Sequence, residues 1–487
     1  MEAAEQRRIS ALETLLFDED VAGPQGRPAV ISAVLEFDAS RVPEERRLEF
    51  VLDHLVRPLL AASTRFSERP LHRLHDALRA AGRDHAPLEC QCSCANDVQW
   101  SPRDLAPSVD LSYHVHMHSQ FCGDVSLDDF LARVQNSYCF DSNRAPWQIH
   151  VMQTAERLYV VPLVHHGLVD GVALLSLFMH GMADALPEAT EGKGEPSPHA
   201  ALQKKKKSTT ERGGILGKIL HHIRCAVSAL VEMTFLIWIR DSPSMFSPDP
   251  DYLNRQADVV VCGASATALS FKTIRAAAKR HGLSFSEFLL ACIAGGMRAF
   301  LLDTDPSVHD AQQLAINEHR CKRSSIMSSI PFSFRGVSSS VSLDNDLALV
   351  FVALPVNEPT FASRAARIST KMKSLKAGYA PKLAVFCFCI LSWLPRPLRS
   401  RLWRRASGHA PILVSTLPGP NYLVSIGGVP CESVRFFSPT SALTTTAISI
   451  MTYNDSVWIG VRSMRSILKQ PVALLQHIMS EIHLQCT

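Results

Sequence analysis

The stretch His165-His166-Gly167-Leu168-Val169-Asp170-Gly171 constrains this chain more than any other. A strand-like segment, Arg157 to Val164, runs into it, and an apolar run, Val172 to Met179, leaves it. The motif therefore marks a strand-to-helix corner, the kind of junction from which α/β folds are built. Neutral imidazole titrates near pH 6.5, so a histidine fixed at such a corner takes a hydroxyl proton at physiological pH. Asp170 can cap the free amides of the following helix, and Gly171 leaves space for a close approach. The His-His dipeptide alone means little, since the chain has 20 histidines and a second pair at His221-His222. Asp170 alone would be an ordinary cap. The whole pattern at a corner is what points to a site, with His166 as candidate base, His165 beside it and Asp170 holding the geometry.

Length and composition are consistent with an enzyme of more than one domain. At 487 residues the chain exceeds the size at which single cores stop growing, and 46% hydrophobic residues suffice for two. A net charge of +4, without basic residues interleaved with aromatics, does not suggest nucleic-acid binding. No Gly-rich phosphate loop occurs. The cysteine count of 13 is odd, and the N-terminus is acidic with no signal-peptide core, so reduced, cytosol-facing thiols are expected. Cys90-Gln91-Cys92-Ser93-Cys94 lacks the spacing of a metal cluster and reads as a loop with incidental thiols; no metal site is expected.

Composition divides the chain into residues 1–186, which carry the histidine motif, and a second mixed α/β unit over residues 259–487. Between them, residues 187–214 are low-complexity and include Lys204-Lys205-Lys206-Lys207, as in a solvated linker. Residues 215–258 form an apolar connecting segment.

The motif His-His-x-x-x-Asp-Gly resembles that of the CoA-dependent acyltransferase superfamily, which includes chloramphenicol and carnitine acyltransferases and peptide-synthetase condensation domains. Further segments choose a branch. Ile9 to Phe17 and Val34 to Asp38 look like the opening of the wax ester synthase/diacylglycerol acyltransferases. Phe140 to Trp147 is similar to the stretch of that family ending in Pro-Leu-Trp, with Ala-Pro here in place of Pro-Leu. Ser329 to Arg335 resembles its Pro-Val-Ser-x-Arg strand, and Asn345 with Phe351 to Pro355 the next one. Val414-Ser415-Thr416-Leu417-Pro418-Gly419-Pro420 resembles its Ser-Asn-Val-Pro-Gly-Pro, and Thr452 to Asp455 its late Ser-Tyr-Asp-Gly turn. The family's Asn-Asp pair on a buried helix is Ser286-Glu287 here, and its Asn before Val-Pro-Gly-Pro is Thr416.

The resemblance implies two similar α/β domains with the active site in a tunnel between them, where pockets commonly form. It implies an acyl-CoA-dependent O-acyltransferase making wax esters, triacylglycerol or both, with acyl-CoA as substrate rather than cofactor. His166 would take the hydroxyl proton of a fatty alcohol or diacylglycerol, Asp170 would hold the corner, and Gly171, Ser286 and Thr416 would line the substrate site. With no G-x-S-x-G motif, direct transfer without an acyl-enzyme is expected. A condensation-type N- or O-acyltransferase and a catalytically weak lipid-surface protein stay open as alternatives.

Two apolar runs bear on membrane contact. Cys225 to Ile239 falls short of the roughly 20 residues of a spanning helix and is flanked by Lys218, Arg224 and Arg240. Leu383 to Leu394 leads into Arg396, Arg399, Arg401, Arg404 and Arg405. Together with water-insoluble substrates, these runs suggest a peripheral enzyme on the endoplasmic reticulum or a lipid droplet, facing the cytosol.

Overall fold

The computed structural model describes residues 29–67, 70–72, 98–100, 110–118, 125–138, 144–184, 245–247, 259–304, 311–334, 347–377, 380–440 and 444–487. The segments Ile9–Phe17, Phe140–Asn143 and Cys90–Cys94, the residues Arg335 and Asn345, the linker and the run Cys225–Ile239 lie outside them.

The first half supplies strands β1 (Val30–Asp38), β2 (Val115–His118), β3 (Trp147–Gln153) and β4 (Arg157–His165). The second supplies β5 (Val260–Ala264), β6 (Leu269–Ser270), β7 (Ile326–Ser333), β8 (Leu347–Leu354), β9 (Ile412–Pro418), β10 (Val424–Ile426), β11 (Val429–Phe437), β12 (Thr446–Tyr453) and β13 (Ser456–Met464). The longer helices are α1 (Leu127–Ser137), α2 (Gly171–Leu177), α3 (Phe271–Arg280), α4 (Phe285–Leu301), α5 (Ala311–Arg323), α6 (Phe361–Ala377), α7 (Ala380–Trp393), α8 (Arg396–Ser407) and α9 (Pro471–Cys486). The chain is mixed α/β with two main sheets. The first runs β10-β11-β1-β4-β3-β2, and the second β8-β7-β9-β12-β13-β5, with β6 beside β13.

Sheet membership does not follow the expected division near residue 259, because β10 and β11 cross from the second half into the first sheet. β11 lies antiparallel to β1, with Leu35 opposite Val434 and Ser32 opposite Phe437. A buried polar clamp fixes that exchange: Glu36 on β1 accepts from Ser433 and from Arg435 Nη2 at 3.1 Å. The Arg435 guanidinium also lies 4.2 Å over the Trp458 ring of β13, tying the exchanged strand to the second sheet. Helix α1 closes the edge of that sheet. Asn136 both accepts from the Val260 amide and donates to its carbonyl, at 2.9 Å each, and Asp128 accepts the Ala264 amide at 2.9 Å. Side chains thus take the place of a missing strand on β5.

Each sheet has its own core. In the second, α4 starts at a capping box, Ser284 with Glu287, and is buried along nearly its whole length. Gly295 and Gly296 let α9 and α6 close on it: a methyl on Gly296 would sit 2.5 Å from the Ile478 backbone, and one on Gly295 2.6 Å from Arg364. A smaller cluster, with Val34, Phe130, Phe437 and Val260, joins the two sheets. The two sheets thereby face each other across a cleft.

Candidate active site

β4 delivers the chain to the cleft. Its last residue, His165, is fully buried, and the ring Nδ1 accepts the Gly167 amide at 3.0 Å, pulling the backbone into a turn. The Leu168 amide closes that turn on the His165 carbonyl at 2.9 Å, and the His166 amide donates to Ala29 at 2.6 Å. Asp170 then takes the N-cap position of α2, with Oδ1 accepting from the Ala173 amide at 2.8 Å. A brace arrives from elsewhere: Arg65, itself buried, donates from Nη1 to the Leu168 carbonyl at 3.0 Å. One histidine therefore shapes the turn, and the other is presented by it.

His166 lines a cavity of the cleft with Asp170, Gly171, Ser333, Ser415, Thr416 and Ser438. The first sheet contributes the motif corner, Ile31 and Phe436, and the second contributes β7, the start of β8 and β9. A second cavity of about 800 Å³, partly open to solvent, adjoins it. Its walls are apolar, with Trp147, Val160, Leu174, Phe178 and Met451 among them. Ile31, Gly171, Leu417 and Phe436 belong to both cavities and form their common wall. A methyl on Gly171 would lie 3.8 Å from Leu417 Cδ1, so this glycine stands at the passage without being forced by crowding.

The expected substrate residues separate. Thr416 lines the His166 cavity, but strand alternation turns its side chain away from it. Thr416 pairs in parallel with Ile450, and Ile412, Val414 and Ile450 all pack into the helix-side core. The alternate residues Leu413, Ser415 and Leu417 face the cleft, in line with Pro331 and Ser333 of β7 and Met451 of β12. Ser286 lies elsewhere, exposed in the first turn of α4 and in neither cavity. Its neighbour Glu287 serves the helix, accepting from the Ser284 amide at 2.9 Å and pairing with Lys376 at 3.5 Å.

The family models decide what this cleft belongs to. The wax ester synthase/diacylglycerol acyltransferase catalytic domain matches residues 29–244, and the C-terminal domain of the same family matches residues 343–484. The chain belongs to that family. It is similar to a Mycobacterium tuberculosis protein whose name assigns it provisionally as a diacylglycerol O-acyltransferase, 23% identical over 387 residues, 74% of this chain and 76% of that one. Its fold is similar to that of a wax ester synthase/diacylglycerol acyltransferase from Marinobacter aquaeolei VT8, with a TM-score of 0.58 at 15% identity over 98% of both chains. The first condensation domain of the calcium-dependent antibiotic synthetase gives a TM-score of 0.56 at 13% identity, over 100% of this chain and 97% of that one. The protein is thus an acyltransferase of the wax ester synthase/diacylglycerol acyltransferase family, with two similar domains.

Within this acyltransferase, no cysteine among the described residues lines the His166 cavity. Burial pushes the Cys262 and Cys431 thiols up to about 12, which suppresses the thiolate needed of a nucleophile. Among the described residues no cluster of His, Cys, Asp or Glu is arranged to hold a metal ion. Histidines do gather at the outer edge of the first sheet, where His118 Nε2 and His150 Nδ1 lie 3.0 Å apart and His116 stacks on His150. Burial, then the neighbouring His116 and His118, push His150 down to about 3.

Sequence reasoning missed Arg65 and Ser415 as site residues. Arg65 carries no local signal, since it lies about a hundred residues from the carbonyl it holds. Ser415 was detectable by counting alternate residues along β9. The arginine cluster also needs correcting. Arg399, expected at a lipid surface, is buried and donates to the Ser392 and Leu394 carbonyls, which end α7 and would otherwise lack partners.

Proposed function

We propose that this acyltransferase esterifies a long-chain alcohol or diacylglycerol with the acyl group of acyl-CoA, with His166 as general base. The observation that carries the reading is the adjacency of the two cavities: the titratable ring of His166 opens into one, and an apolar chamber fit for an alkyl chain shares its wall. In the step, the acceptor oxygen bonds to the thioester carbon and its proton passes to an imidazole nitrogen of His166. The tetrahedral intermediate then collapses with C–S cleavage, and the CoA thiolate leaves and recovers the proton from the imidazolium. A thiol of pKa about 8.5 leaves without strong acid assistance. No step needs an acyl-enzyme.

The test is incubation with labelled palmitoyl-CoA and, separately, hexadecanol, diacylglycerol and a primary amine. Ester formation is expected with one or both hydroxyl acceptors. His166→Ala should lower the rate by about 10²–10⁴ while the protein stays folded, and His165→Ala should keep measurable activity. Amide formed from the amine alone would select a condensation-type reaction, which shares the fold but not the acceptor.

Membrane contact belongs to the same proposal. Among the described residues no single helix is long and apolar enough to cross a membrane. Helix α7, however, exposes Phe386, Ile390 and Trp393, spaced along one face, at 59%, 48% and 78%. Its buried side, with Phe388 and Leu391, packs with Trp403 against Ala29 and Leu347, and Leu347 borders the His166 cavity. A peripheral, lipid-facing enzyme with its cavity close to that surface is the arrangement proposed.

A further inference from the structure

We infer that the apolar chamber gauges the acyl chain of the thioester donor, with Ala33 of β1 setting its bore and Leu35 its depth; this rests on the acyl-transfer reading above. Three tiers of side chains lead inward from the passage, each two residues further along the strands. In the first, Val164 stands opposite both Ile31 and Trp147. The second has Ala33 opposite Phe436, and Pro162 opposite Ile149. The third has Leu35 between Val434 and Val160. Phe37 and Leu158 follow, opposite each other and fully buried, and neither borders the chamber. On the sheet side the chamber therefore ends at Leu35.

The burial of β1 marks the second tier. β1 is an interior strand, with β4 on one side and β11 on the other, and from Val30 to Phe37 every residue but Ala33 is buried. Ala33 is half-buried because its methyl faces the chamber, and Pro162 in the same tier is half-buried too. The helical segments laid over this face widen where they border the chamber. Leu52–Val56 is a π turn that contributes Leu55, and Phe178–Met182 is another that contributes Phe178 and Met182. Such turns are rare and occur frequently at functional sites. Two of them on one cavity distinguish it from a chance void in the packing.

The tiers convert to chain length. From Ile31 to Leu35 is four residues, a depth of roughly 13 Å. An extended alkyl chain advances about 1.3 Å per methylene. With the thioester carbonyl at the passage, about five methylenes reach Ala33 and about ten reach Leu35. A channel walled by single tiers takes one straight chain. A fatty acyl donor presents one chain, whereas diacylglycerol presents two, so the chamber suits the donor. A larger side chain at position 33, facing Phe436, would close the channel at its second tier.

The experiment measures kcat/KM for hexanoyl-, dodecanoyl- and palmitoyl-CoA with one alcohol, in wild type, Ala33→Phe, Leu35→Ala and Val34→Ala, with melting curves for each. Wild type and Ala33→Phe are also compared on hexanol and dodecanol at a fixed donor. Wild type should gain from hexanoyl to dodecanoyl and little more to palmitoyl. Excluding two or more methylenes from an apolar site lowers kcat/KM by about tenfold or more. Ala33→Phe should therefore cut the dodecanoyl-to-hexanoyl ratio at least tenfold, with the acceptor ratio unmoved. Leu35→Ala, which deepens the chamber, should raise the palmitoyl-to-dodecanoyl ratio threefold or more. Val34 packs on the opposite face of β1, so Val34→Ala should leave both donor ratios within twofold of wild type. The inference is overturned if wild type shows no gain from hexanoyl to dodecanoyl, if a folded Ala33→Phe keeps the wild-type donor ratio, or if its acceptor ratio moves as much. Should Ala33→Phe fail to fold, an unmoved palmitoyl-to-dodecanoyl ratio in Leu35→Ala overturns it equally. Failure of the underlying reading looks different: wild type would transfer no acyl group to any hydroxyl from any of the donors, or His166→Ala would match wild type.

Discussion

Arg65 Nη1 donates to the Leu168 carbonyl at 3.0 Å, so the loop that presents His166 is held by a buried cation from a different part of the chain. His165 alone, through its 3.0 Å bond from the Gly167 amide, fixes only the first half of the turn. The cap at Asp170 fixes its end. Arg65 secures the middle, at the Leu168 carbonyl.

Removing that brace should cost activity and stability together. A hydrogen bond to a charged group contributes about 1.5–3 kcal/mol, and Arg65→Ala also leaves a buried carbonyl unsatisfied. A fall in melting temperature and at least a tenfold fall in kcat/KM are expected, read by calorimetry and acyl-transfer assay. Arg65→Lys should lie between the two, because an ammonium lacks the fork of the guanidinium. Wild-type kcat/KM in Arg65→Ala would remove the brace from the account of the site.

Asp170 makes a sharper distinction. Its carboxylate caps α2 through the Ala173 amide, and an asparagine side chain caps about as well. Asp170→Asn should therefore keep most of the activity, whereas Asp170→Ala should lose about 1 kcal/mol of stability as well as activity. Equal loss of turnover in both variants, with unchanged melts, would assign the negative charge a part in the chemistry.

The corner was legible in the sequence because its strand, turn and cap are local, all between Arg157 and Asp170. Of the remaining motifs, Val34 to Asp38 lies on β1, Ser329 to Ser333 on β7, and Val414 to Pro418 on β9 at the cleft. Three things were not legible. Which face of β9 a hydroxyl occupies depends on period-two register, so one residue separates Thr416 on the core side from Ser415 on the cleft. Ser286 is read by resemblance to the family's Asn-Asp pair on a buried helix, but the Ser284–Glu287 capping box puts it in the exposed first turn. Long-range matters, such as β11 pairing with β1 or Arg65 reaching Leu168, leave no mark in a local pattern.

Acid should loosen the edge of the first sheet. Burial lowers the pKa values of His114, His118 and His150, His150 to about 3, below the unfolded value near 6.5. Between those values the unfolded chain binds protons that the folded one refuses, so stability falls as pH drops from about 6.5. Asp128, pushed up to about 6 by burial, opposes this in part, because its folded form binds a proton from about pH 6 down to its unfolded value. The melting temperature should decline from pH 7 to pH 5, and His150→Gln should flatten that decline. A flat profile in wild type would show that these histidines titrate normally.

The lipid-facing proposal divides the arginines that follow α7. Arg401 and Arg405 are exposed at the surface, whereas Arg399 is buried at the α7–α8 junction. Each basic residue near such a surface contributes about 1 kcal/mol, weakened by salt. Changing Arg401 and Arg405 to Gln should therefore reduce co-sedimentation with anionic liposomes by about tenfold or more and leave the melt unchanged. Changing Phe386, Ile390 and Trp393 together to Ser should weaken binding further and at high salt too, since that share is hydrophobic. Arg399→Gln should instead lower the melting temperature by freeing the carbonyls that end α7. If the wild-type protein stays in the supernatant with every liposome, α7 and α8 are not its membrane contact.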